Sequence, residues 1–308
     1  MKGRFAPSPS GRMHLGNIYA ALLSWLSVRK AGGKWVLRIE DLDPQRSKEQ
    51  HARMIEDDLQ WLGLDYDEGG YDACNGLYRQ SNRHSLYLEA LKKLNESGLT
   101  YPCTCTRAEI MATQAPHQSD GRVVYSGKCR PQTMPSTYSQ IEQAHATRLY
   151  VPDKDIEFCD TVFKHQQVNL ANECGDFILR RADGAWAYQL AVVVDDAAMG
   201  ITEVARGCDL LISAAQQSYI YSILGLKTPQ FAHFPLLVNE SGQRLSKRDK
   251  SLSMEHLRTK YTPQQLIGHI AHAAHIIPHA EPCEPRDLIQ YFSWERIPAT
   301  TSLQAPLL

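Results

Sequence analysis

The chain has 308 residues, which is enough for two domains or for one domain with a large insertion. Hydrophobic residues make up 43 %, which excludes global disorder, and 33 Lys and Arg against 34 Asp and Glu exclude a polycationic, non-specific nucleic-acid coat. No run of 18 apolar residues and no apolar N-terminal segment occurs, so we expect neither a membrane span nor a signal peptide. Eight Cys are too few for a disulfide scaffold, so we expect a cytoplasmic protein with reduced thiols.

The first hundred residues predict alternating strands and helices. Strands are expected at residues 3–6 and 35–40, and helices at 15–30, 43–62 and 78–97. Strand–helix–strand–helix order with short connections predicts parallel pairing and therefore an α/β fold.

The middle of the chain changes character. Residues 99–180 are rich in Cys, Thr, Gln, Pro and Ser and lack a helical period from 114 to 140, so we interpret them as an inserted subdomain. The apolar run from Ala187 to Asp196 predicts a buried strand. A helix is expected at 216–224, a strand at 236–239, helices at 263–274 and 285–292, and a loose tail from 300. The predicted units are therefore 1–98 and 181–250 as two halves of one domain, 99–180 as the insertion and 251–308 as a short helical region.

Two short motifs lie 233 residues apart (247 minus 14). The first contains His14, Gly16 and Asn17 where a strand turns into a helix, and a helix start offers N–H groups and a positive dipole end to phosphate. The second is a basic loop around Lys247, whose charge can meet the leaving phosphates. The candidate nucleotide residues are His14, Gly16, Asn17, Arg244, Leu245, Ser246, Lys247 and Arg248. The alternative is an ordinary charged surface turn.

Together the two motifs resemble the HIGH and KMSKS motifs of class I aminoacyl-tRNA synthetases. Three longer blocks, 4–11, 38–46 and 195–207, resemble the glutamyl- and glutaminyl-tRNA synthetases more closely. The resemblance implies a Rossmann-like catalytic domain that binds ATP with Mg²⁺, with His14, Gly16, Asn17 and Lys247 as its catalytic residues.

A dicarboxylic amino acid fits the charged residues of these blocks. Arg4 and Arg206 can each fork a carboxylate, Glu40 can pair with the ammonium group, and Tyr188 can add a hydroxyl. The resemblance places the glutamate pocket at Arg4, Phe5, Ala6, Pro7, Ser8, Glu40, Tyr188 and Arg206. Val192 departs from the Asn that the glutamyl enzymes often carry there. The alternative for the charged residues is a set of structural salt bridges.

The expected reaction needs no general base, because a carboxylate is already ionised at pH 7 and can attack the α-phosphorus of ATP. This agrees with the lack of a convincing Ser/His/Asp catalytic set in the sequence. The remaining histidines are interpreted as scattered surface or packing residues: His145, His165, His233, His269, His272, His275 and His279.

A metal site is predicted inside residues 99–180. Cys103 and Cys105, with Cys129 about 24 residues later, have spacing that suits a zinc-pinned loop. Three thiolates need a fourth ligand, and His117 and Asp120 are conventional choices. The glutamyl-tRNA synthetase family also has a truncated branch, and resemblance to the enzymes of that branch implies Tyr125 instead. Three ordinary buried thiols are the alternative.

Only 60 residues follow Arg248 (308 minus 248), too few for an anticodon-reading region. The chain therefore resembles the truncated branch of the family. That resemblance implies activation of L-glutamate with ATP, without tRNA, and transfer of glutamate to queuosine at the wobble position of tRNA(Asp). It also implies one Zn²⁺ per chain, and we expect a monomer. The alternatives are another acceptor (a tRNA 3′ end or a carrier protein) and a catalytically silent tRNA-binding paralogue.

Overall fold

The computed structural model describes residues 1–112, 124–133, 143–239, 241–243, 245 and 252–306. Within these ranges, no helix is long and apolar enough to cross a membrane.

Helices and strands alternate along the described chain. The helices are α1 (Leu15–Lys30), α2 (Glu49–Trp61), α3 (His84–Glu96), α4 (Arg107–Ala112), α5 (Leu170–Glu173), α6 (Tyr188–Ala198), α7 (Leu211–Ile223), α8 (Met254–Lys260) and α9 (Pro263–Ala273). The strands are β1 (Lys2–Phe5), β2 (Lys34–Leu37), β3 (Glu68–Gly69), β4 (Thr100–Cys103), β5 (Ala146–Leu149), β6 (Asp155–Asp160), β7 (Lys164–Asn169), β8 (Phe177–Arg180), β9 (Glu203–Gly207), β10 (Gln230–Phe234), β11 (Leu236–Val238) and β12 (Ser302–Gln304).

The main sheet has seven strands in the order β3-β2-β1-β9-β10-β6-β7, and every pair except β6–β7 is parallel. The strand order therefore reverses direction between β1 and β9. In open parallel sheets, ligands bind outside the carboxyl ends of the strands at such a reversal. The predicted α/β, Rossmann-like fold is confirmed. A ligand site is expected at the carboxyl ends of β1 and β9.

Helix α1 covers one face of this sheet and begins and ends where the sequence predicts. Leu15, Ile18, Leu22 and Trp25 are completely or almost completely buried in the largest apolar cluster of the described chain. Because α1 follows β1 directly, its first turn lies at the carboxyl edge of the sheet, beside the reversal.

The prediction of a strand from Ala187 to Asp196 is wrong, because residues 188–198 form helix α6. The apolar run is long because several sides of α6 are buried between α3, α7 and β8. A short apolar run without polar interruption does not distinguish a buried strand from a buried helix. The helix has a consequence for the site, since spacing of four residues puts Tyr188, Val192 and Asp196 on one face.

Other predicted boundaries shift for local reasons. The second helix begins at 49 instead of 43, because the Asp43 side chain accepts hydrogen bonds from the amides of Gln45 and Arg46 and holds a turn. The third begins at 84, after a short 3₁₀ turn at 80–82, and α7 begins at 211 instead of 216. Residues 285–288 form a 3₁₀ helix. The expected loose tail instead includes β12, which pairs in parallel with β11.

The stretch predicted as an insertion contributes to two sheets. Strands β4, β5 and β8 form a separate antiparallel sheet, whereas β6 and β7 extend the main sheet. The division of the chain into a catalytic domain, an insertion and a short C-terminal region stays a prediction.

Candidate active site

The start of α1 is held by its own side chains. His14 is the N-cap, and its Nδ1 accepts a hydrogen bond from the Gly16 amide at 3.1 Å, while Asn17 Oδ1 accepts from the His14 amide at 3.1 Å. A Cβ at residue 16 would lie 3.0 Å from His14 Cε1, so glycine allows the ring to lie against the backbone. Because Nδ1 accepts, a neutral His14 carries its ring proton on Nε2, which makes Nε2 a hydrogen-bond donor.

The described residues that flank the basic loop attach it to β11 on one side and to the start of α1 on the other. Before the loop, the Leu245 amide donates to the Leu237 carbonyl at 3.3 Å, and the Leu245 side chain is buried in the same apolar cluster as Met13. After the loop, the Met254 amide donates to the Met13 carbonyl at 2.9 Å. The chain that follows the loop is therefore paired with the segment that precedes α1. The predicted nucleotide residues Arg244, Ser246, Lys247 and Arg248 lie outside the described residues.

Segment 4–8 places a carboxylate beside the end of β1. The Arg38 amide donates to the Phe5 carbonyl and the Glu40 amide donates to the Pro7 carbonyl, each at 3.0 Å. These bonds continue the β1–β2 pairing past the ends of both strands and hold Glu40 next to the segment. Along this segment Ala6 is half-buried, Pro7 is buried and Ser8 is exposed.

Arg4 and Glu40 belong to one buried ionic network. Asp196 Oδ1 accepts from Arg4 Nε at 3.3 Å and from Arg38 Nη1 at 2.5 Å, and Arg38 Nη2 donates to Glu40 Oε1 at 3.1 Å. The salt bridges that the sequence leaves open as an alternative are thus present at Arg4 and Glu40. Asp196 is a residue of this network to which the sequence analysis assigned no role.

The two carboxylates of the network differ electrostatically. Burial alone would raise the pKa of Asp196, but attraction to Arg38 and Arg4 outweighs it, and its pKa lies below the usual value. Burial raises the pKa of Glu40 above its usual value in spite of Arg38 and Arg4. Asp196 therefore neutralises the arginines, whereas Glu40 is the carboxylate that gains most from an added cation.

Arg206 is also buried, at 6 % exposure, but its partners are all neutral. On β9 it donates from Nε to His233 Nε2 at 3.0 Å and from Nη1 to Gln217 Oε1 at 2.8 Å and to the Tyr188 hydroxyl at 3.4 Å. Among the described residues, no carboxylate lies within ion-pair distance of it. Burial lowers its pKa and nearby Arg4 adds to that effect, which outweighs the opposite effect of Tyr188 and Asp196. A buried cation with no carboxylate in contact is costly, so this position favours an anion from outside.

Several residues of this pocket escape sequence reasoning. Asp160, Gln217 and His233 come from three different elements and meet only through the fold. Asp195 and Asp196 lie in the block 195–207, which by sequence indicates only the family resemblance. Asp195 is fully buried and accepts from Arg83 Nε at 2.5 Å and from the Tyr87 hydroxyl at 2.9 Å, which anchors α6.

The predicted metal-binding residues come together. The sulfur atoms of Cys103, Cys105 and Cys129 lie within 4.8 Å of one another, and Cys105 Sγ is 3.4 Å from Cys129 Sγ. A tetrahedral Zn²⁺ site with Zn–S bonds of 2.3 Å has sulfur–sulfur edges of about 3.8 Å, so the arrangement fits. The Tyr125 hydroxyl lies 3.5 Å from Cys103 Sγ and 3.8 Å from Cys105 Sγ. His117 and Asp120, the conventional fourth ligands, lie outside the described residues.

The cluster is electrostatically uneven. Burial alone would raise the pKa of Cys129, but hydrogen bonds from the Thr104 amide and from neighbouring side chains lower it to about 7. Burial raises the pKa of Cys105 to about 11 and places the pKa of Tyr125 well above its usual value. One thiol is thus readily ionised, while the phenol of Tyr125 needs a cation to ionise it.

Comparison with known proteins agrees with the geometry. The family described as tRNA synthetases class I (E and Q), catalytic domain, matches residues 1–302. The chain is 44 % identical over 303 residues to the glutamyl-Q tRNA(Asp) synthetase of Symbiobacterium thermophilum, covering 96 % of this chain and 93 % of that protein. Identity to the enzyme of the same name from Nitratidesulfovibrio vulgaris is also 44 %, covering 97 % and 94 %.

Solved structures resemble the whole described fold. A glutamate tRNA ligase from Elizabethkingia meningosepticum, in complex with its amino acid, superposes with a TM-score of 0.82 at 26 % identity, covering 99 % of this chain and 67 % of that one. The match of the family over nearly the full chain, the relatives and this superposition lead to one conclusion. The chain belongs to the class I tRNA synthetases for glutamate and glutamine, through their catalytic domain.

Proposed function

We propose that this chain activates L-glutamate with ATP to glutamyl-adenylate and transfers the glutamate to queuosine at the wobble position of tRNA(Asp). The observation that carries the glutamate site is the buried Arg206 guanidinium, which has only neutral partners, next to an Arg4–Asp196 pair and Glu40. The acceptor rests on the relatives, which are glutamyl-Q tRNA(Asp) synthetases.

Glutamate brings two carboxylates and one ammonium group, and the pocket offers a partner for each. Arg206 binds one carboxylate, assisted by the Tyr188 hydroxyl, and Arg4 faces the other. Glu40 binds the ammonium group, because its pKa is raised by burial and an added cation stabilises its charge. The segment from Phe5 through Ala6 and Pro7 to Ser8 forms the wall next to the nucleotide motif.

The activation step needs alignment more than acid–base chemistry. An oxygen of the substrate carboxylate forms a bond to the α-phosphorus of ATP, the bond to the bridging oxygen breaks, and pyrophosphate leaves with that electron pair. His14 Nε2 and Asn17 contact phosphate at the start of α1, and Gly16 permits close approach. Mg²⁺ accompanies the ATP, and Lys247, flanked by Arg244, Leu245, Ser246 and Arg248, meets the charge on the leaving group.

The transfer step is an ester formation. A hydroxyl oxygen of the queuosine cyclopentene diol attacks the glutamyl carbonyl carbon, the bond to the phosphate oxygen breaks, AMP leaves, and the hydroxyl proton passes to solvent. The modified base is reached as an unstacked base of a single-stranded loop.

We also propose one Zn²⁺ held by Cys103, Cys105, Cys129 and Tyr125. The three sulfur atoms lie at distances that suit zinc, and the low pKa of Cys129 supplies a thiolate near neutral pH. When bound, the ion supplies structural order at the end of β4, beside the small apolar cluster that contains Tyr101, Cys103 and Tyr125.

Two assays test the function. ATP–pyrophosphate exchange is measured with glutamate, glutamine and aspartate in parallel, and we expect exchange with glutamate alone. Loading is then measured on queuosine-containing and queuosine-free tRNA(Asp), and we expect it only on the former. No exchange with glutamate would favour a silent paralogue, and equal loading of both tRNAs would favour another acceptor.

A further inference from the structure

We propose that His233 is a positioning residue for substrate binding: as a neutral imidazole held by Asp160, it fixes the guanidinium of Arg206 toward the glutamate pocket. This inference rests on the proposed function, in which Arg206 binds a substrate carboxylate.

Three adjacent parallel strands bring these residues together. His233 on β10 is the register partner of Arg206 on β9, and Asp160 ends β6 on the other side of β10. The distances form a continuous chain: Arg206 Nε donates to His233 Nε2 at 3.0 Å, and His233 Nδ1 lies 2.7 Å from Asp160 Oδ2. His233 and Asp160 are both completely buried. This series of hydrogen bonds thus begins in the protein interior at Asp160 and ends in the pocket at Arg206.

The neighbours determine where the imidazole carries its proton. A guanidinium can only donate hydrogen bonds, so His233 Nε2 must accept from Arg206. The ring proton then lies on Nδ1 and is donated to Asp160. Burial and the charge of Arg206 lower the pKa of His233, which outweighs the opposite effect of Asp160 and of the Leu210 carbonyl. The ring is therefore neutral near pH 7 and acts as a fixed acceptor.

Asp160 is itself held rigidly. Its Oδ1 accepts from the amides of Val162 and Phe163 at 3.0 and 2.9 Å, and its Oδ2 accepts from the His233 amide at 3.1 Å. These bonds define the tight turn that joins β6 to β7. The carboxylate is therefore not free to follow the imidazole, and the ring orientation is set by the sheet.

The hydrogen-bond partners of Arg206 leave one N–H group and the positive charge for a ligand in the pocket. Nε is occupied by His233, the two N–H groups of Nη1 by Tyr188 and Gln217, and one N–H of Nη2 by the Leu210 carbonyl at 3.4 Å. A guanidinium has five N–H groups, so one on Nη2 remains among the described contacts. All four partners are neutral and leave the positive charge for a ligand. A carboxylate in place of His233 would cancel that charge, and an imidazolium would repel it.

The experiment compares His233→Leu and His233→Gln in glutamate-dependent exchange, with His165→Leu on the exposed strand β7 as the matched control. Leucine removes the acceptor, and we expect the KM for glutamate to rise about tenfold or more while the KM for ATP stays within about twofold. Glutamine keeps an acceptor, so its effect is expected to be smaller. His165→Leu is expected to match the wild type.

Equal KM values for glutamate in folded His233→Leu, His233→Gln and wild type would overturn the inference. A parallel rise of both KM values would also overturn it, because a general loss of structure predicts that result. If leucine prevents folding, the ring tautomer of His233 in the wild type decides the inference.

The tautomer of His233 can be measured independently of catalytic activity. Long-range ¹H–¹⁵N NMR spectra of the ring at pH 7.5 are expected to show a protonated Nδ1 and an accepting Nε2 for His233, with the Nε2 shift changing in Arg206→Met. A protonated Nε2, or an imidazolium, would overturn the inference. Absence of exchange in the wild type would instead overturn the proposed function, which keeps the two failures distinct.

Discussion

Asp58 and Arg12 form a partly buried ion pair immediately before the nucleotide motif. Asp58 Oδ1, in the completely buried side chain of α2, lies 2.9 Å from Arg12 Nη2, two residues before His14. The same oxygen lies 3.0 Å from Nη2 of Arg258, in the helix that follows the basic loop. One carboxylate therefore ties the flank of each motif to α2. Nothing in the sequence indicates this role, because the three residues are far apart along the chain.

The Asp58 cluster makes a prediction about stability. Asp58→Asn leaves two arginines beside a neutral amide, and removing one partner of a buried pair is strongly destabilising. Since Arg12 and Arg258 are 24 % and 22 % exposed, water screens part of the loss, and we expect a fall of about 2 to 4 kcal/mol in the free energy of unfolding. Urea unfolding measures it. Asp57→Asn is the matched control, because Asp57 is exposed and its side chain pairs with Arg258; equal effects of both variants would contradict the role of Asp58.

A second prediction concerns the charge of Arg206. Gln217→Glu places a carboxylate where Oε1 now accepts from Arg206 at 2.8 Å, and so supplies the anion that we assign to glutamate. The KM for glutamate in the exchange assay is expected to rise about tenfold to a hundredfold, with little change in the KM for ATP. Gln216→Glu is the neighbouring control, because Gln216 binds Gln189 and not Arg206. If the two glutamate variants bind the substrate equally well, Arg206 is not its carboxylate partner.

The first turn of α1 and the cysteine cluster were predictable from sequence because their signals are local. The first turn of α1 depends on His14, Gly16 and Asn17, which are neighbours in the chain, and the three cysteines are recognisable by spacing alone. Local patterns also gave the correct bounds of α1.

The substrate part of the site depends on contacts that no local pattern carries. His233 was interpreted as a scattered packing residue, and its relation to Arg206 is set by the register of two parallel strands. Asp196 acquires its contacts with Arg4 only because residues 188–198 form a helix, where the apolar run had predicted a strand. A single sequence reveals neither the strand register that pairs His233 with Arg206 nor the burial on several sides that made the run at 188–198 apolar.

The basic loop gives a third prediction. Lys247→Ala is expected to reduce the rate constant of exchange by about a hundredfold or more, because one preorganised charge on a leaving group contributes that much. Glutamate affinity should change little, since Lys247 is assigned to the phosphates. Steady-state exchange and equilibrium binding of glutamate separate the two quantities. Wild-type exchange in this variant would remove Lys247 from the mechanism.

Stability should depend on pH through His233. Its folded-state pKa lies below the usual value of 6.5, so the unfolded chain takes up a proton first as the pH falls. The stabilising contribution is complete above about pH 6.5 and declines below it. Between pH 7.5 and 5.5 the wild type is expected to lose more of its free energy of unfolding than His233→Gln does. Parallel losses in both proteins would show that His233 does not titrate in this way.

The cysteine cluster predicts a metal-dependent structure. We expect about one zinc per chain by elemental analysis, because three sulfur atoms lie within 4.8 Å of one another beside a phenol. Chelation is expected to lower the melting temperature, because the apolar cluster around these sulfur atoms is small. Cys103→Ser should lose the zinc, whereas Cys159→Ser, at an exposed cysteine of β6, should keep it.

Tyr125→Phe tests the fourth ligand and is expected to lower zinc affinity about tenfold or more, while His117→Ala and Asp120→Ala retain the affinity. A zinc-free wild type that melts together with Cys103→Ser would mean that the cluster consists of ordinary buried thiols.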